Sequence, residues 1–164
     1  MILPAFDGHG NLPAGDYWPT SQDFEERFVR LQASATRLAI YLGWGRHRKD
    51  LAACGLVQTA AILLNGSYTT SKVDPGDLDL AVEVPISDSS DMCGPMAPVF
   101  NLLQGPAMKP PYQCDAYPIP VLPASHPAHV AVTQAARAYW NKWFGTDRSG
   151  NAKGRVWATL GGLR

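Results

Sequence analysis

The sequence predicts an α/β (α+β) fold, a small mixed β-sheet flanked by helices. Three observations carry this expectation. First, Asp77-Leu78-Asp79-Leu80-Ala81-Val82-Glu83-Val84-Pro85 alternates strictly between two faces, the period of a strand. Second, the apolar run Ala60–Leu64 stops abruptly at Asn65-Gly66-Ser67, as a buried strand does before a turn. Third, two stretches, 21–43 and 129–144, repeat apolar residues every three or four positions, the stripe of an amphipathic helix.

The elements are expected in this order. Residues 1–19 form an irregular N-terminal arm pinned by Phe6, Leu12, Tyr17 and Trp18, and residues 20–164 form a single domain. Thr20 caps the first helix, with Asp23 three residues on and Glu25 and Glu26 favoured by the helix dipole. Its apolar stripe is Phe24, Phe28, Leu31, Ala35, Leu38 and Leu42, and Gly43 and Gly45 end it. A second short helix spans 46–54 with the basic opening Arg46-His47-Arg48-Lys49. Strands follow at 57–67 and 77–85, then a loop with a helical turn near 96–104. The strand at 112–122 carries two prolines and belongs at a sheet edge. The helix at 129–144 presents Val132, Ala136, Tyr139, Trp140, Trp143 and Phe144 to the core or an interface, and a final strand spans 153–160. No internal repeat is expected.

Composition narrows the function classes. The chain has 164 residues, and 14 Lys+Arg balance 14 Asp+Glu, so there is no global attraction to nucleic acid or anionic lipid. Its 46% hydrophobic residues suffice for a core, while 15 Gly and 14 Pro imply many turns. No window reaches the apolar length of a membrane span. The opening residues lack the basic and apolar regions of a secretory signal, so a cytoplasmic location is expected. Cys54, Cys93 and Cys114 match no metal or disulfide spacing and read as buried or semi-buried thiols. His9, His47, His126 and His129 complete no zinc pattern.

The segment that carries chemistry runs from Gly66 to Leu80: a strand, a Gly-Ser turn, a spacer, then a strand bearing Asp-x-Asp. Gly66 lets the backbone approach a ligand, and Ser67 with the following N–H groups suits phosphate oxygens. Lys72 in the spacer suits triphosphate charge. Asp77 and Asp79 point the same way from their strand, a costly arrangement unless cations neutralise it. Hard oxygen ligands suit Mg2+ or Mn2+. Two such ions about 4 Å apart can clamp an in-line phosphoryl displacement. Asp115, in Gln113-Cys114-Asp115-Ala116-Tyr117, is the best-placed third carboxylate.

This pattern resembles the polymerase-beta-like nucleotidyltransferase superfamily, whose members carry Gly-Ser, a spacer, Asp-x-Asp and a third Asp on a later strand. The resemblance implies a nucleotidyltransferase fold and transfer of a nucleoside monophosphate from an NTP, ATP being the expected one, to an acceptor. It implies that Gly66, Ser67 and Lys72 bind nucleotide. It also implies that Asp77, Asp79 and Asp115 are catalytic and hold metal, Asp115 helping to activate the acceptor hydroxyl. The arm, the core motif and the tail Tyr139-Trp140-Asn141-Lys142-Trp143 to Leu160 together resemble a group of small bacterial and phage nucleotidyltransferase-like proteins. Such proteins often sit in toxin–antitoxin or phage-defence pairs, which implies a protein or RNA acceptor or a cognate partner. In the spacer, Lys72 and Pro75-Gly76 depart from the Gly-rich basic stretch ending in Ser-Asp that many relatives carry. The alternative is a catalytically inactive binding module, an antitoxin or scaffold on the same fold. Arg148, Lys153 and Arg155 in the tail read as a solvated hairpin, with RNA contact as the other reading.

Overall fold

The computed structural model describes residues 3–31 and 34–163. Strand β1 (Asp16–Tyr17) precedes helix α1 (Ser21–Glu25), a π turn over Glu26–Arg30 and the long helix α2 (Ala35–Ala53). Strands β2 (Ala61–Asn65) and β3 (Leu78–Pro85) are followed by short helices α3 (Ala97–Asn101) and α4 (Lys109–Tyr112). Strand β4 (Cys114–Val121), helix α5 (Ala135–Phe144) and strand β5 (Arg155–Thr159) complete the chain. Among the described residues the strands form a mixed sheet in the order β1-β5-β2-β3-β4. β3 and β4 run parallel, β2 is antiparallel to both of its neighbours, and the arm's β1 lies parallel to β5. The proline-bearing β4 is an edge strand, as expected, because each proline lacks the N–H that a second neighbour would need.

Strand alternation divides the core. Leu78, Leu80, Val82 and Val84 face the larger cluster, built with Phe24, Phe28, Ile40, Trp44 and Leu51 from α1, its π turn and α2. The opposite face buries Leu63, Ala81 and Ile119 under Phe144 of α5. Arg137 of α5 pairs with Glu83 of β3 at 2.7 Å, which fixes the helix along the sheet. Asp79 and Asp115 lie on this same second face, beyond the end of α5.

The helical region departs from the sequence reading. The expected helix over 21–43 breaks, because Ser34 caps a new helix that accepts Arg37 N–H on its side chain. That helix runs through Gly43 and Gly45 to Ala53, absorbing the expected second helix. Gly43 stays helical because its missing side chain admits another segment: a Cβ there would lie 2.2 Å from the Tyr112 carbonyl. The expected stripe is also rotated, since Leu31, Leu38 and Leu42 are 62%, 48% and 54% exposed. The buried face is Arg37, Ile40, Trp44, His47 and Leu51. The capping box of Thr20 and Asp23 is present as expected.

Two smaller expectations are corrected. Cys93 is exposed, while Cys54 is half-buried and Cys114 buried. Trp143 and Tyr139 are exposed on the outer face of α5, their rings parallel, so only Phe144 of that stripe is fully packed. Two loops share a local pattern: Asp7-Gly8-His9-Gly10-Asn11 and Asp147-Arg148-Ser149-Gly150-Asn151 make similar turns. In each, Asp Oδ1 accepts two N–H groups, from His9 and Asn11 in one loop and from Ser149 and Asn151 in the other, all at 2.9 Å. Gly10 and Gly150 take φ of 79° and 83°, which only glycine adopts without strain. The Asn11 side chain donates to Asp147 at 2.9 Å and joins the pair. The first loop then braces the spacer, since Ser71 N–H donates to the Gly10 carbonyl at 2.8 Å.

Candidate functional site

Strand register brings the predicted residues to one place. Asp79 lies directly beside Asp115 across the parallel β3–β4 pair and opposite Asn65 across the antiparallel β2–β3 pair. The Asn65-Gly66 turn is therefore adjacent to Asp79. Gly66 takes φ 78°, and a Cβ on it would lie 1.9 Å from Asp79 Oδ2, so a glycine is required for the two to approach. Asp77 precedes β3 by one residue. A single nitrogen, Lys109 Nζ, contacts Asp77 Oδ2 at 2.7 Å and Asp115 Oδ2 at 3.1 Å.

The site is charged and partly buried. Burial, then the neighbouring Asp77 and Asp115 charges, raise the Asp79 pKa to about 6. Asp115 is 8% exposed, and its Oδ1 is buried with no hydrogen-bond partner among the described residues. The two carboxylate contacts push the Lys109 pKa above its ordinary value.

Two residues outside the expected set shape this site. Lys153, expected in a solvated hairpin, is 5% exposed. It donates to the Gly66 carbonyl at 2.5 Å, and its backbone is tied to Gly145 at the end of α5. Burial lowers its pKa to about 8, with Asp79 and Asp147 opposing that shift. Arg37 is fully buried. Its guanidinium donates to the carbonyls of Phe28, Tyr68, Thr70, Lys72 and Val73, and so sets the path of the spacer. Continuing the Ile40, Trp44, Leu51 spacing backward would have placed Arg37 on the buried stripe. Nothing in the local sequence marks Lys153, because its partner lies in a turn 87 positions away.

The nucleotide-binding expectations are placed less uniformly. Ser67 is half-buried and opens a single 3-10 turn over Ser67–Thr69. The Gly66 N–H is already donated to Asn65 Oδ1 at 2.8 Å, which leaves phosphate contacts to the amides after it. Lys72 is exposed, and its ammonium forms no ion pair among the described residues. Of the tail cations, Arg155 is paired with Asp16 at 2.7 Å. The run Arg46-His47-Arg48-Lys49 lies mid-helix, with His47 buried against the Leu102 carbonyl at 2.7 Å.

The residues that would hold a hard cation are Asp77, Asp79 and Asp115. The donors are carboxylates, Asp115 Oδ1 is an orphaned buried acceptor, and Asp79 and Asp77 oppose it as like charges. Lys109 lies between two of them, and among the described residues no group of three or more His, Cys, Asp or Glu is arranged to hold a metal ion. No helix among the described residues is long and apolar enough to cross a membrane.

No curated protein and no solved structure matches the chain. Over residues 4–159 it matches the model of a family described as "Family of unknown function (DUF6932)", and the chain belongs to that family.

Proposed function

We propose that this protein is a divalent-metal-dependent nucleotidyltransferase, passing a nucleoside monophosphate from an NTP to a protein or RNA acceptor on a nucleotidyltransferase fold. One observation carries the reading: Asp77, Asp79 and Asp115 meet beside a Gly66 that must be glycine for Asp79 to stand where it does. Burial and the neighbouring Asp77 and Asp115 charges raise the Asp79 pKa, and carboxylates held this close favour a bound cation. Mg2+ or Mn2+ held by these carboxylates would supply charge neutralisation for the α-phosphate and the leaving pyrophosphate. The acceptor hydroxyl oxygen bonds to the α-phosphorus as the bond from that phosphorus to the β-bridging oxygen breaks. In this reading Asp115 accepts the hydroxyl proton, its Oδ1 having no hydrogen-bond partner among the described residues. The amides after Gly66 and the Ser67 hydroxyl face the polyphosphate, and Lys153 holds the Gly66 carbonyl in place from behind.

The test is incorporation of label from α-32P-labelled NTPs into extract protein or RNA, with Mg2+ present and pyrophosphate release followed in parallel. Asp77→Asn and Asp79→Asn should each reduce incorporation by about 10³-fold, as losing a transition-state charge contact does. Undiminished labelling by both variants overturns the reading.

The Lys109 ion pair favours a second reading, an inactive nucleotidyltransferase-fold binding module such as an antitoxin or scaffold with a cognate partner, because an ammonium already bridges two of the acids. Calorimetric binding of ATP and Mg2+ without pyrophosphate release selects it.

A further inference from the structure

We infer that Lys109 is a resident cation of the acidic site, so that three converging carboxylates take one divalent ion where they would otherwise take two. The inference rests on the nucleotidyltransferase reading and deepens it by fixing the metal requirement.

Lys109 is built into its position from both sides. The segment that carries it begins at Gly105, whose N–H donates to the Ala116 carbonyl at 2.7 Å, one residue beyond Asp115. Gly105 takes φ 59°, and a Cβ on it would lie 2.8 Å from the Tyr117 ring, so this attachment depends on glycine. The segment ends at Gln113, in left-handed conformation with φ 57°. Gln113 N–H donates to the Lys109 carbonyl at 2.7 Å, and its own carbonyl accepts from Leu78 N–H, between Asp77 and Asp79, at 3.1 Å. The segment is thus tied to both strands that carry the acids.

Helix α2 backs the same segment. Gly43 admits the Tyr112 carbonyl, and Tyr112 OH donates to Asp50 at 2.6 Å. Pro110 and Pro111 follow Lys109 and restrict the backbone there. A surface lysine on a free loop would sample many rotamers. This one is delivered to a point within hydrogen-bond reach of two carboxylates.

The chemistry of the ammonium suits that point. It is a compact single charge with three donors, and two of them are spent on Asp77 Oδ2 and Asp115 Oδ2. A divalent ion between the same two oxygens would have to displace it or face it as a like charge. Asp79, the other oxygen of Asp77 and the buried Asp115 Oδ1 stay outside that contact, and an ion among them would be completed by substrate phosphates.

The experiment is a Mn2+ titration of the full chain, with free Mn2+ followed by electron paramagnetic resonance and heat by calorimetry. Wild type, Lys109→Met and Lys109→Gln are compared, with Asp77→Asn as the control that should lose Mn2+. The expected result is one Mn2+ per wild-type chain. In both Lys109 variants a second Mn2+ appears, or the first binds about tenfold more tightly, since a cation paired with two acids has been removed. Two ions on wild type, or unchanged number and affinity in the variants, overturns the role of Lys109 and leaves the nucleotidyltransferase reading standing. Absence of Mn2+ from all the proteins overturns both.

Discussion

Gly66 and Asp79 are in mutual contact: the position a Cβ would take on Gly66 is 1.9 Å from Asp79 Oδ2 and 3.1 Å from Asp79 Cβ. Gly66→Ala therefore forces the carboxylate to turn away, besides placing alanine at φ 78°. The backbone term alone costs about 1–3 kcal/mol, since φ 78° with ψ −166° is a region that only glycine populates freely. Incorporation should fall as far as in Asp79→Asn. Urea denaturation of the double variant provides the check. In an Asp79→Ala background, Gly66→Ala should cost measurably less than in wild type, because the carboxylate it strikes is gone. Equal costs in the two backgrounds would show that the contact does not govern this turn.

Asp79 also weakens the metal-free protein at neutral pH. Its pKa rises from 3.8 to about 6 on folding, so between those values the folded state holds a proton that the unfolded state has released. Stability from this group is full below pH 3.8 and is lost as pH rises through 6. Asp79→Asn, which stays neutral, should exceed wild type in stability above pH 6 by on the order of 2 kcal/mol. The difference should close towards pH 4. Thermal melts in chelator from pH 4 to 8 measure it, and a variant less stable than wild type at pH 7.5 contradicts the prediction. Millimolar Mn2+ should narrow the gap by stabilising wild type alone.

The opposite sign holds for Lys153. Its pKa falls from 10.5 to about 8 on folding, so between those values the unfolded state carries more protons. Stability from this group rises with pH across that window, and below pH 8 the folded protein bears the full cost of a buried charge. Relative to Lys153→Met, wild type should gain stability from pH 7.5 to pH 10, by on the order of 2 kcal/mol. Paired chemical denaturation curves at several pH values supply the difference. A gap that stays constant across the range would mean that Lys153 titrates alike in both states.

The sheet was legible because strand alternation leaves a direct mark on sequence. Leu78, Leu80, Val82 and Val84 could face only one way, and the prolines of β4 admitted only an edge. The acids on β3 and β4 inherit their convergence from that register. Helix α2 was misread because its core face contains Arg37 and His47, polar residues whose burial depends on carbonyls elsewhere in the chain. The hydrophobic pattern therefore favoured Leu38 and Leu42, which solvent covers. Lys109 reaches Asp77 and Asp115, which lie on two different strands, and Lys153 reaches the Gly66 turn across 87 positions. Local periodicity carries no trace of such pairs. The twin loops escaped because five residues are too few to raise a repeat signal, although their shared Asp, Gly and Asn were in plain view.

Arg37 is where the helical layer and the spacer become one structure. Its Nη1 donates to the Phe28 carbonyl at 2.9 Å and to the Tyr68 carbonyl at 2.8 Å. Its Nη2 donates to Thr70 at 2.8 Å and also to Lys72, and its Nε reaches Lys72 and Val73 at 3.1 Å each. Desolvation lowers its pKa, while Tyr68 and Asp74 oppose that shift. Only a planar, forked cation satisfies carbonyls spread over so long an arc. Arg37→Lys keeps the charge but leaves several buried carbonyls without donors, at a cost of about 3–5 kcal/mol. That is a large share of the roughly 5–15 kcal/mol that stabilises a domain. Amide exchange gives the sharper readout. Protection at Thr70 and Ser71, whose N–H groups donate to Ser67 and Gly10, should fall much further in Arg37→Lys than protection in β2 and β3. A uniform loss across the sheet would make Arg37 an ordinary core residue, and an unchanged melting temperature would remove its role as the clamp of the spacer.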